Sequence, residues 1–285
     1  MTEAESTAFC RQLARSHYEN FHVAGLFLPK AMRIPFCIVY AYCRCADDIA
    51  DEHTGSAESR QHALRQLDDW ETRLHSCFDT DEPPSHPVFI ALRSVARKFS
   101  LPQEPFADLL TAFRQDQTKN RYETTEELLG YCRYSANPVG RIILHLAGKP
   151  SAQQFEWSDS VCTALQLANF WQDVKRDQAA GRCYIPRNTA QKFGVDIEHL
   201  HDSPEFRRMM RELTEDARSR FEAGRPLVRA VPKMFRTAIS LFLQGGLAVL
   251  DAIERRQFDV LTERPVLSKW TKLSLLLRTL IGTRS

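Results

Sequence analysis

The sequence predicts an all-α protein that forms a single domain, as three features indicate. Apolar residues recur with helical spacing in almost every segment, and no stretch keeps the two-residue alternation of a β-strand. Only 11 glycines occur in 285 residues, and most of the 14 prolines fall between helical segments. No internal repeat, low-complexity tract or linker divides the chain, so one helical domain is the simplest interpretation.

The helical periodicity and the turn residues between periodic segments give the predicted elements in chain order. The predicted ranges are 6–21, 30–50, 57–77, 88–99, 105–117, 125–138, 139–146, 151–177, 189–193, 204–223, 233–256 and 266–281. Polar or proline-rich loops at 51–59 and 79–87 separate the early helices. Two acidic residues in the first turn mark a helix start at Thr125, and Pro138 is expected to kink or break the helix that follows.

Composition and charge narrow the class of protein. The chain is 43% hydrophobic, and its net charge of +2, without a long basic run, argues against a nucleic-acid partner. Its eight cysteines form no C-x-x-C pair, so free thiols in a reducing compartment are expected instead of a zinc site. The polar N-terminus lacks an apolar signal region, and the longest uncharged apolar stretch, 237–250, is too short to span a bilayer. A cytoplasmic protein is therefore predicted.

One stripe of oxygen-bearing side chains lies on the predicted helix 151–177. Asn169, Asp173 and Asp177 are four residues apart, so they stack on one face of the helix. The residues before them are apolar, as in a buried helix, and carboxylates are costly to bury unless a cation meets them. Mg²⁺ prefers oxygen ligands and shares them with substrate phosphates, so it is the expected cation. The alternative is a helix that leaves the core with its acidic residues solvated.

A second acidic cluster ends the predicted helix 30–50. Asp47 and Asp51 share a face of this helix, and Arg44 lies one turn before Asp47. Acidic residues at a helix C-terminus oppose the helix dipole, and functional sites often show such a local conflict. The alternative is an ordinary solvated helix end.

The two clusters together predict a site for diphosphate chemistry. If the two helices face each other, five oxygen-bearing side chains hold several Mg²⁺ ions against a diphosphate, while Arg44 and the basic group Lys175, Arg176 and Arg182 neutralise phosphate oxygens. This arrangement suits the ionisation of an allylic diphosphate in an apolar chamber that protects a carbocation from water. The candidate lining residues, for which ordinary core packing is the alternative, are Phe21, Phe27, Tyr40, Tyr42, Tyr131, Tyr134, Phe170 and Trp171.

Four stretches carry a resemblance to a known family. They are Ser16-His17-Tyr18, the block from Tyr40 to Asp51, the segment from Tyr131 to Gly140, and the segment from Asn169 through Tyr184 to Pro186. These stretches resemble the motifs of the squalene/phytoene synthase family of head-to-head prenyl synthases, over nearly the whole chain. The resemblance implies an isoprenoid-synthase-like helical bundle around a central cavity, with residues 1–285 as one domain.

The resemblance also implies roles for individual residues. The acidic residues match the two aspartate motifs of the family, which bind Mg²⁺, with Mn²⁺ as a substitute, and through the metal the diphosphate. These catalytic and metal-binding candidates are Asp47, Asp51, Asn169, Asp173 and Asp177. The positions near the diphosphate match His17, Arg44, Arg182 and Tyr184, and the positions that line the prenyl pocket match Tyr40, Tyr131, Val139 and Gln166.

Within the family, residues 19–24 and 169–173 are most similar to the bacterial hydroxysqualene synthases of the hopanoid pathway. Such enzymes convert presqualene diphosphate and water into hydroxysqualene and diphosphate, so presqualene diphosphate is the implied substrate and no NADPH is expected. The chain lacks the Ser-x-Ser-Phe stretch of phytoene and dehydrosqualene synthases at 18–21. Gln172 replaces the arginine that is common there before the middle aspartate. The polar candidates for positioning the attacking water are Glu19, Asn20, His22 and Gln172.

Two other functions stay open at this point. One alternative is that of enzymes with the same fold that condense two C15 or C20 prenyl diphosphates into presqualene diphosphate, squalene or phytoene. A non-catalytic helical assembly partner is the other alternative, although both acidic motifs are complete. Functional pairing with a presqualene diphosphate synthase is expected. The basic amphipathic tail 267–281 is predicted either to rest on the inner face of the cytoplasmic membrane or to pack on the domain.

Overall fold

A computed structural model of the chain describes residues 1–16, 28–51, 56–268 and 271, and every regular element in those ranges is an α-helix. In chain order the helices are α1 (Glu3–Ser16), α2 (Lys30–Asp51), α3 (Ala57–Asp79), α4 (Pro87–Phe99), α5 (Glu104–Asp116), α6 (Thr125–Ser135), α7 (Asn137–Ala147), α8 (Ala152–Ala179), α9 (Arg187–Phe193), α10 (Pro204–Gly224), α11 (Leu227–Ala230) and α12 (Lys233–Arg255). The all-α prediction is confirmed. The short α11 was missed, and most of the predicted helix 266–281 lies outside the described residues.

Local sequence signals set the helix ends. At the start of α6, Thr124 Oγ1 accepts a hydrogen bond from Glu127 N at 3.2 Å, and Glu127 Oε2 accepts one from Glu123 N at 2.6 Å. The predicted start at Thr125 is therefore the first residue after the cap. The break between α6 and α7 comes just before Pro138, which lies in the first turn of α7, where the missing N–H of proline is tolerated.

The chain divides into two compact units. Unit 1 comprises Met1–Thr118 and Pro138–Ser151, and unit 2 comprises Lys119–Asn137 and Ala152–Ser285. The first acidic cluster therefore belongs to unit 1 and the second to unit 2. The assignment of residues 1–285 to a single domain stays a prediction beside this division.

Unit 1 has α2 at its centre, packed against α1, α3, α4 and α5. Tyr42 is fully buried, and its hydroxyl donates a hydrogen bond to the carbonyl oxygen of Phe106 at 3.0 Å. Its ring makes edge contacts with Phe89 and Phe106, with ring centroids 5.9 and 5.2 Å apart. Tyr42 is thus a core residue, so ordinary core packing describes it better than a place in the lining of a substrate chamber. This packing fixes the rotation of α2 and turns its acidic residues away from the core.

Unit 2 is built on α8, which packs against α6, α10, α11 and α12. Two glycines allow the close approach of these helices. A Cβ at Gly224 would lie 2.7 Å from the carbonyl oxygen of Trp157 on α8. A Cβ at Gly246 on α12 would overlap the ring of Phe221 and lie 2.9 Å from Leu165 Cδ2. The contacts hold α8, and with it the second acidic cluster, in a fixed rotation.

The apolar stretch 237–250 lies inside α12. Among the described helices, α12 is the one that is long and apolar enough to cross a membrane by length and composition alone, with 23 residues. Half of its most apolar window is buried within the protein, and core helices of water-soluble proteins pass the same test.

Candidate active site

In unit 1, α2 presents the first acidic cluster on the face opposite its core residues. Tyr40, Arg44 and Asp47 are half-buried along this face, and Asp51 is exposed at its end. Arg44 Nη1 donates to Asp47 Oδ2 at 3.0 Å, and Arg44 Nη2 pairs with Asp48. One guanidinium therefore pairs with two carboxylates at a helix end that disfavours negative charge, and it offsets one of their two charges. The pKa of the Tyr40 phenol is raised, chiefly by burial, and the charge of Arg44, one turn along α2, acts in the opposite direction.

In unit 2, the second acidic cluster forms the predicted stripe on α8. Asn169 is exposed, and Asp173 and Asp177 are half-buried. Arg264, from the chain after α12, meets this stripe. Its Nη2 donates to Asp173 Oδ2 at 3.2 Å, and its Nε pairs with Asp173 Oδ1. Both oxygens of Asp173 thus accept hydrogen bonds from one planar guanidinium, the two-pronged geometry that arginine forms with carboxylates.

Among the residues that the structure describes, Asp177 is the carboxylate whose surroundings most disfavour the ionised form. Burial, together with the neighbouring charge of Asp173, raises the pKa of Asp177 from 3.8 to about 6. The guanidinium groups of Arg182, Arg176 and Arg264 act in the opposite direction without cancelling this effect. The predicted diphosphate-binding residue Arg182 therefore lies within electrostatic reach of the predicted metal ligand Asp177. Perturbed carboxylates of this kind are enriched at functional sites.

An aromatic wall adjoins Asp177. The rings of Phe170 and Tyr184 stack with centroids 3.8 Å apart and planes 9° apart, and Tyr131 lies 6.1 Å from Tyr184. Tyr122, which the sequence did not single out, extends this wall, with its ring 5.8 Å from that of Tyr184. A cavity of about 10 Å³, room for about one water molecule, opens beside the wall. Its lining residues are Phe170, Trp171, Val174, Asp177, Cys183, Tyr184 and Ile185.

The structure brings several predicted site residues of unit 2 together. Tyr131, Tyr184 and Asp177 gather around the aromatic wall, and Gln166 is half-buried on α8, one turn before Phe170. Val139 packs against the core of unit 1. His17 and the water-positioning candidates Glu19, Asn20 and His22 lie outside the described residues, as do Phe21 and Phe27.

Sequence reasoning missed Arg264. It follows Asp173 by 91 residues, in a non-helical segment, and no periodicity links the two positions. The basic residue itself, between Glu263 and Pro265, was the only signal in that stretch. Gln172 was singled out for its position beside Asp173, and the structure shows that its amide contacts the same segment. Its Oε1 accepts a hydrogen bond from Arg264 Nη2 at 3.2 Å.

The side chains of the α8 stripe suit a hard divalent cation. One amide and two carboxylates, all oxygen donors, share a helix face, and the raised pKa of Asp177 shows a carboxylate that nearby positive charge would stabilise. Within the described ranges, no group of three or more His, Cys, Asp and Glu side chains is gathered as a metal site. The assignment of magnesium ligands therefore stays a prediction.

Comparison with known proteins gives a consistent set of relatives. The family model described as squalene/phytoene synthase matches residues 14–271. A hydroxysqualene synthase of Sinorhizobium fredii is 35% identical over 263 residues, which cover 90% of this chain and 86% of that protein. A phytoene synthase of Arthrospira platensis is 29% identical over an alignment of 295 positions, gaps included, which covers 96% of this chain and 92% of that protein.

Solved structures agree with this grouping. The crystal structure of squalene synthase HpnC from Alicyclobacillus acidocaldarius is similar to the chain with a TM-score of 0.84 and 39% identity, over 90% of this chain and 95% of that one. A dehydrosqualene synthase in complex with a ligand gives a TM-score of 0.86 and 25% identity, over 99% and 98% of the two chains.

Proposed function

Because the chain belongs to the squalene/phytoene synthase family, whose members process prenyl diphosphates, we propose that it is a hydroxysqualene synthase. The observation that carries this proposal is the higher identity to a hydroxysqualene synthase than to a phytoene synthase, 35% against 29%. The substrate would be presqualene diphosphate and the products hydroxysqualene and diphosphate.

In the proposed reaction, the carbon–oxygen bond to the diphosphate breaks and its electron pair leaves with the diphosphate. The resulting carbocation rearranges as the cyclopropane ring opens, water forms a new carbon–oxygen bond, and a proton is released. The acidic residues of α2 and α8 would hold Mg²⁺, which supplies Lewis-acid stabilisation of the leaving diphosphate when bound. Arg44 and Arg182 add positive charge that neutralises phosphate oxygens.

The aromatic wall gives unit 2 a second role in this chemistry. Phe170 and Tyr184 carry negative π-electron density on their ring faces, and a face that the stack leaves uncovered would attract a nearby cation without reacting with it. Tyr131 is 6% exposed and extends this surface away from bulk water. Such a wall favours a long-lived carbocation that reacts only where water is admitted.

Labelled water tests the proposal. The protein is supplied with presqualene diphosphate and Mg²⁺ in ¹⁸O-water, without a nicotinamide, and the products are identified by mass spectrometry. Hydroxysqualene that carries ¹⁸O is expected. An alcohol without the label, or no alcohol at all, would refute the proposal. Asp173→Asn serves as the inactive reference, and Asp69→Asn, an exposed carboxylate of α3, is the matched control that should retain activity.

Metal dependence has its own test. Removal of divalent ions with EDTA should abolish product formation, and Mg²⁺ or Mn²⁺ should restore it. Turnover that persists in EDTA would show that the acidic residues act without a metal.

Head-to-head condensation is the second candidate, because a phytoene synthase matches 96% of the chain. Feeding farnesyl diphosphate or geranylgeranyl diphosphate alone separates the two functions. Formation of presqualene diphosphate or phytoene from these substrates, or of squalene once NADPH is added as the hydride donor, would favour a condensing enzyme. The hydroxysqualene synthase proposal expects no product until presqualene diphosphate is added.

A further inference from the structure

The segment 259–265, which we call the strap, lies along α8 at the acidic stripe. Three side chains of α8 hold it there. Lys175 Nζ donates to the carbonyl oxygen of Thr262 at 2.8 Å, and Gln172 Nε2 donates to the carbonyl oxygen of Pro265 at 2.6 Å. Asp173 accepts the two-pronged ion pair of Arg264. The strap is therefore attached at successive points along the helix that carries the proposed metal ligands.

The strap also has contacts of its own that fix its shape. Asp259 Oδ1 accepts hydrogen bonds from the backbone N–H groups of Leu261 at 3.1 Å and Thr262 at 2.9 Å, which forms a tight polar turn. Arg256 Nη1 pairs with Glu263 Oε2 at 3.1 Å. These contacts do not involve α8, so the strap reaches the acidic stripe in a preset conformation.

The side-chain amide of Gln172 bonds to the strap through both its amino group and its carbonyl oxygen. Its side chain is buried, with 7% exposure, and it donates to Pro265 while it accepts from Arg264. An arginine at this position has no acceptor atom and would bring a second guanidinium against Arg264. Glutamine is therefore a residue type that fits this place, because its carbonyl oxygen orients the guanidinium and its amino group fixes the backbone.

We propose that Arg264 is a resident counter-cation of Asp173 that a divalent metal must displace, and that Gln172 is the positioning residue that holds it there. The inference rests on the proposed function, in which Asp173 is a metal ligand. Both carboxylate oxygens of Asp173 already accept hydrogen bonds from a cation. An incoming metal meets that positive charge and loses access to part of the oxygen lone pairs. The ion pair of Arg264 with Asp173 and metal binding at Asp173 are therefore antagonistic.

Metal binding without substrate tests this antagonism directly. The full chain is treated with EDTA and titrated with Mn²⁺, and the free ion is counted by electron paramagnetic resonance. Arg264→Met removes the competing cation and should tighten Mn²⁺ binding by about two- to fivefold, the range for a partly exposed ion pair. At 1.4 kcal/mol per factor of ten this equals ~0.4–1 kcal/mol. Gln172→Met leaves Arg264 in place but unoriented, and should tighten binding by a smaller factor.

Two further variants exclude a general effect on the fold. Arg218→Met removes the ion pairs of α10 with Asp251 and Glu254 of α12, outside the strap and α8, and should leave the Mn²⁺ affinity unchanged. Arg264→Lys keeps a cation without the two-pronged geometry and should bind Mn²⁺ with an affinity between those of the wild type and Arg264→Met. Circular dichroism confirms that each variant is folded.

The outcomes separate this inference from the function on which it rests. Equal or weaker Mn²⁺ binding by a folded Arg264→Met variant would overturn the counter-cation role and leave the metal site intact. Wild type and Asp173→Asn that bind Mn²⁺ equally would show that Asp173 is no metal ligand, which would overturn both. Formation of ¹⁸O-labelled hydroxysqualene is measured separately and does not depend on the strap.

Discussion

Replacing Asp177 by asparagine is expected to stabilise the metal-free protein at pH 8 while it removes the proposed activity. The folded protein raises the pKa of this carboxyl from 3.8 to about 6, because burial and the charge of Asp173 disfavour the ionised form. A charged Asp177 therefore destabilises the fold, and a neutral amide of nearly the same shape does not carry that penalty.

The magnitude and the pH window follow from the two pKa values. Below pH 3.8 the carboxyl is protonated in both the folded and the unfolded chain, so it has no effect on stability. As the pH rises from 3.8 through about 6, the unfolded chain ionises first, and stability falls. At 1.36 kcal/mol per pKa unit the full loss would be ~3 kcal/mol, and solvent screening of this half-buried group reduces it to ~1–2 kcal/mol.

Urea unfolding in EDTA, followed by circular dichroism from pH 4 to pH 8, measures the difference between Asp177→Asn and wild type. The variant should match wild type near pH 4 and exceed it by the stated amount at pH 8. Mg²⁺ should then stabilise wild type more than the variant, since a ligand that binds only the folded state raises stability. The exposed Asp69→Asn control should show no such pH dependence. A variant that is no more stable than wild type at pH 8, or that differs equally at both pH values, would refute this reasoning.

Four further predictions test the two units and the acidic cluster of α2. Gly246→Ala should lower the free energy of unfolding by ~1–3 kcal/mol, because the added Cβ overpacks the core. Gly245→Ala, where the added Cβ has open space, should raise it by ~0.5–1 kcal/mol, and thermal unfolding compares the two variants. Tyr42→Phe should lower the free energy of unfolding in urea by ~1 kcal/mol, because it removes the buried hydrogen bond to the carbonyl oxygen of Phe106. Burial raises the pKa of Cys132 to about 12, so iodoacetamide at pH 8 should label it only after unfolding, as peptide mass spectrometry reports. Asp47→Ala should lower kcat/KM by at least about a hundredfold, and an activity within twofold of wild type would remove it from the proposed metal set.

The helices and the two acidic stripes could be predicted because both depend on short-range spacing. Residues four apart share a helix face wherever the helix lies, so Asn169, Asp173 and Asp177 form a stripe in any fold that keeps α8 helical. Capping signals and proline positions are equally local, which is why the observed helix ends lie close to the predicted ones. The resemblance to the squalene/phytoene synthase family rests on the same local motifs and is confirmed.

Tertiary structure alone decided which groups of other elements each side chain meets. Whether an aromatic side chain lies in the core or in the aromatic wall depends on how its segment packs. Tyr42 is therefore a core residue, while Tyr184 stacks on Phe170. The raised pKa of Asp177 likewise reflects how neighbouring elements exclude water, which spacing along one helix does not encode.

The sequence by itself determined that Asp173 lies in an oxygen-bearing stripe, and the Mg²⁺ expected there stays a prediction. Only the tertiary structure decided that Arg264, 91 residues away, lies there, held by Gln172. The physical reason is that electrostatic and hydrogen-bonding partners are chosen by distance in space, and a non-helical segment has no periodicity that records its destination.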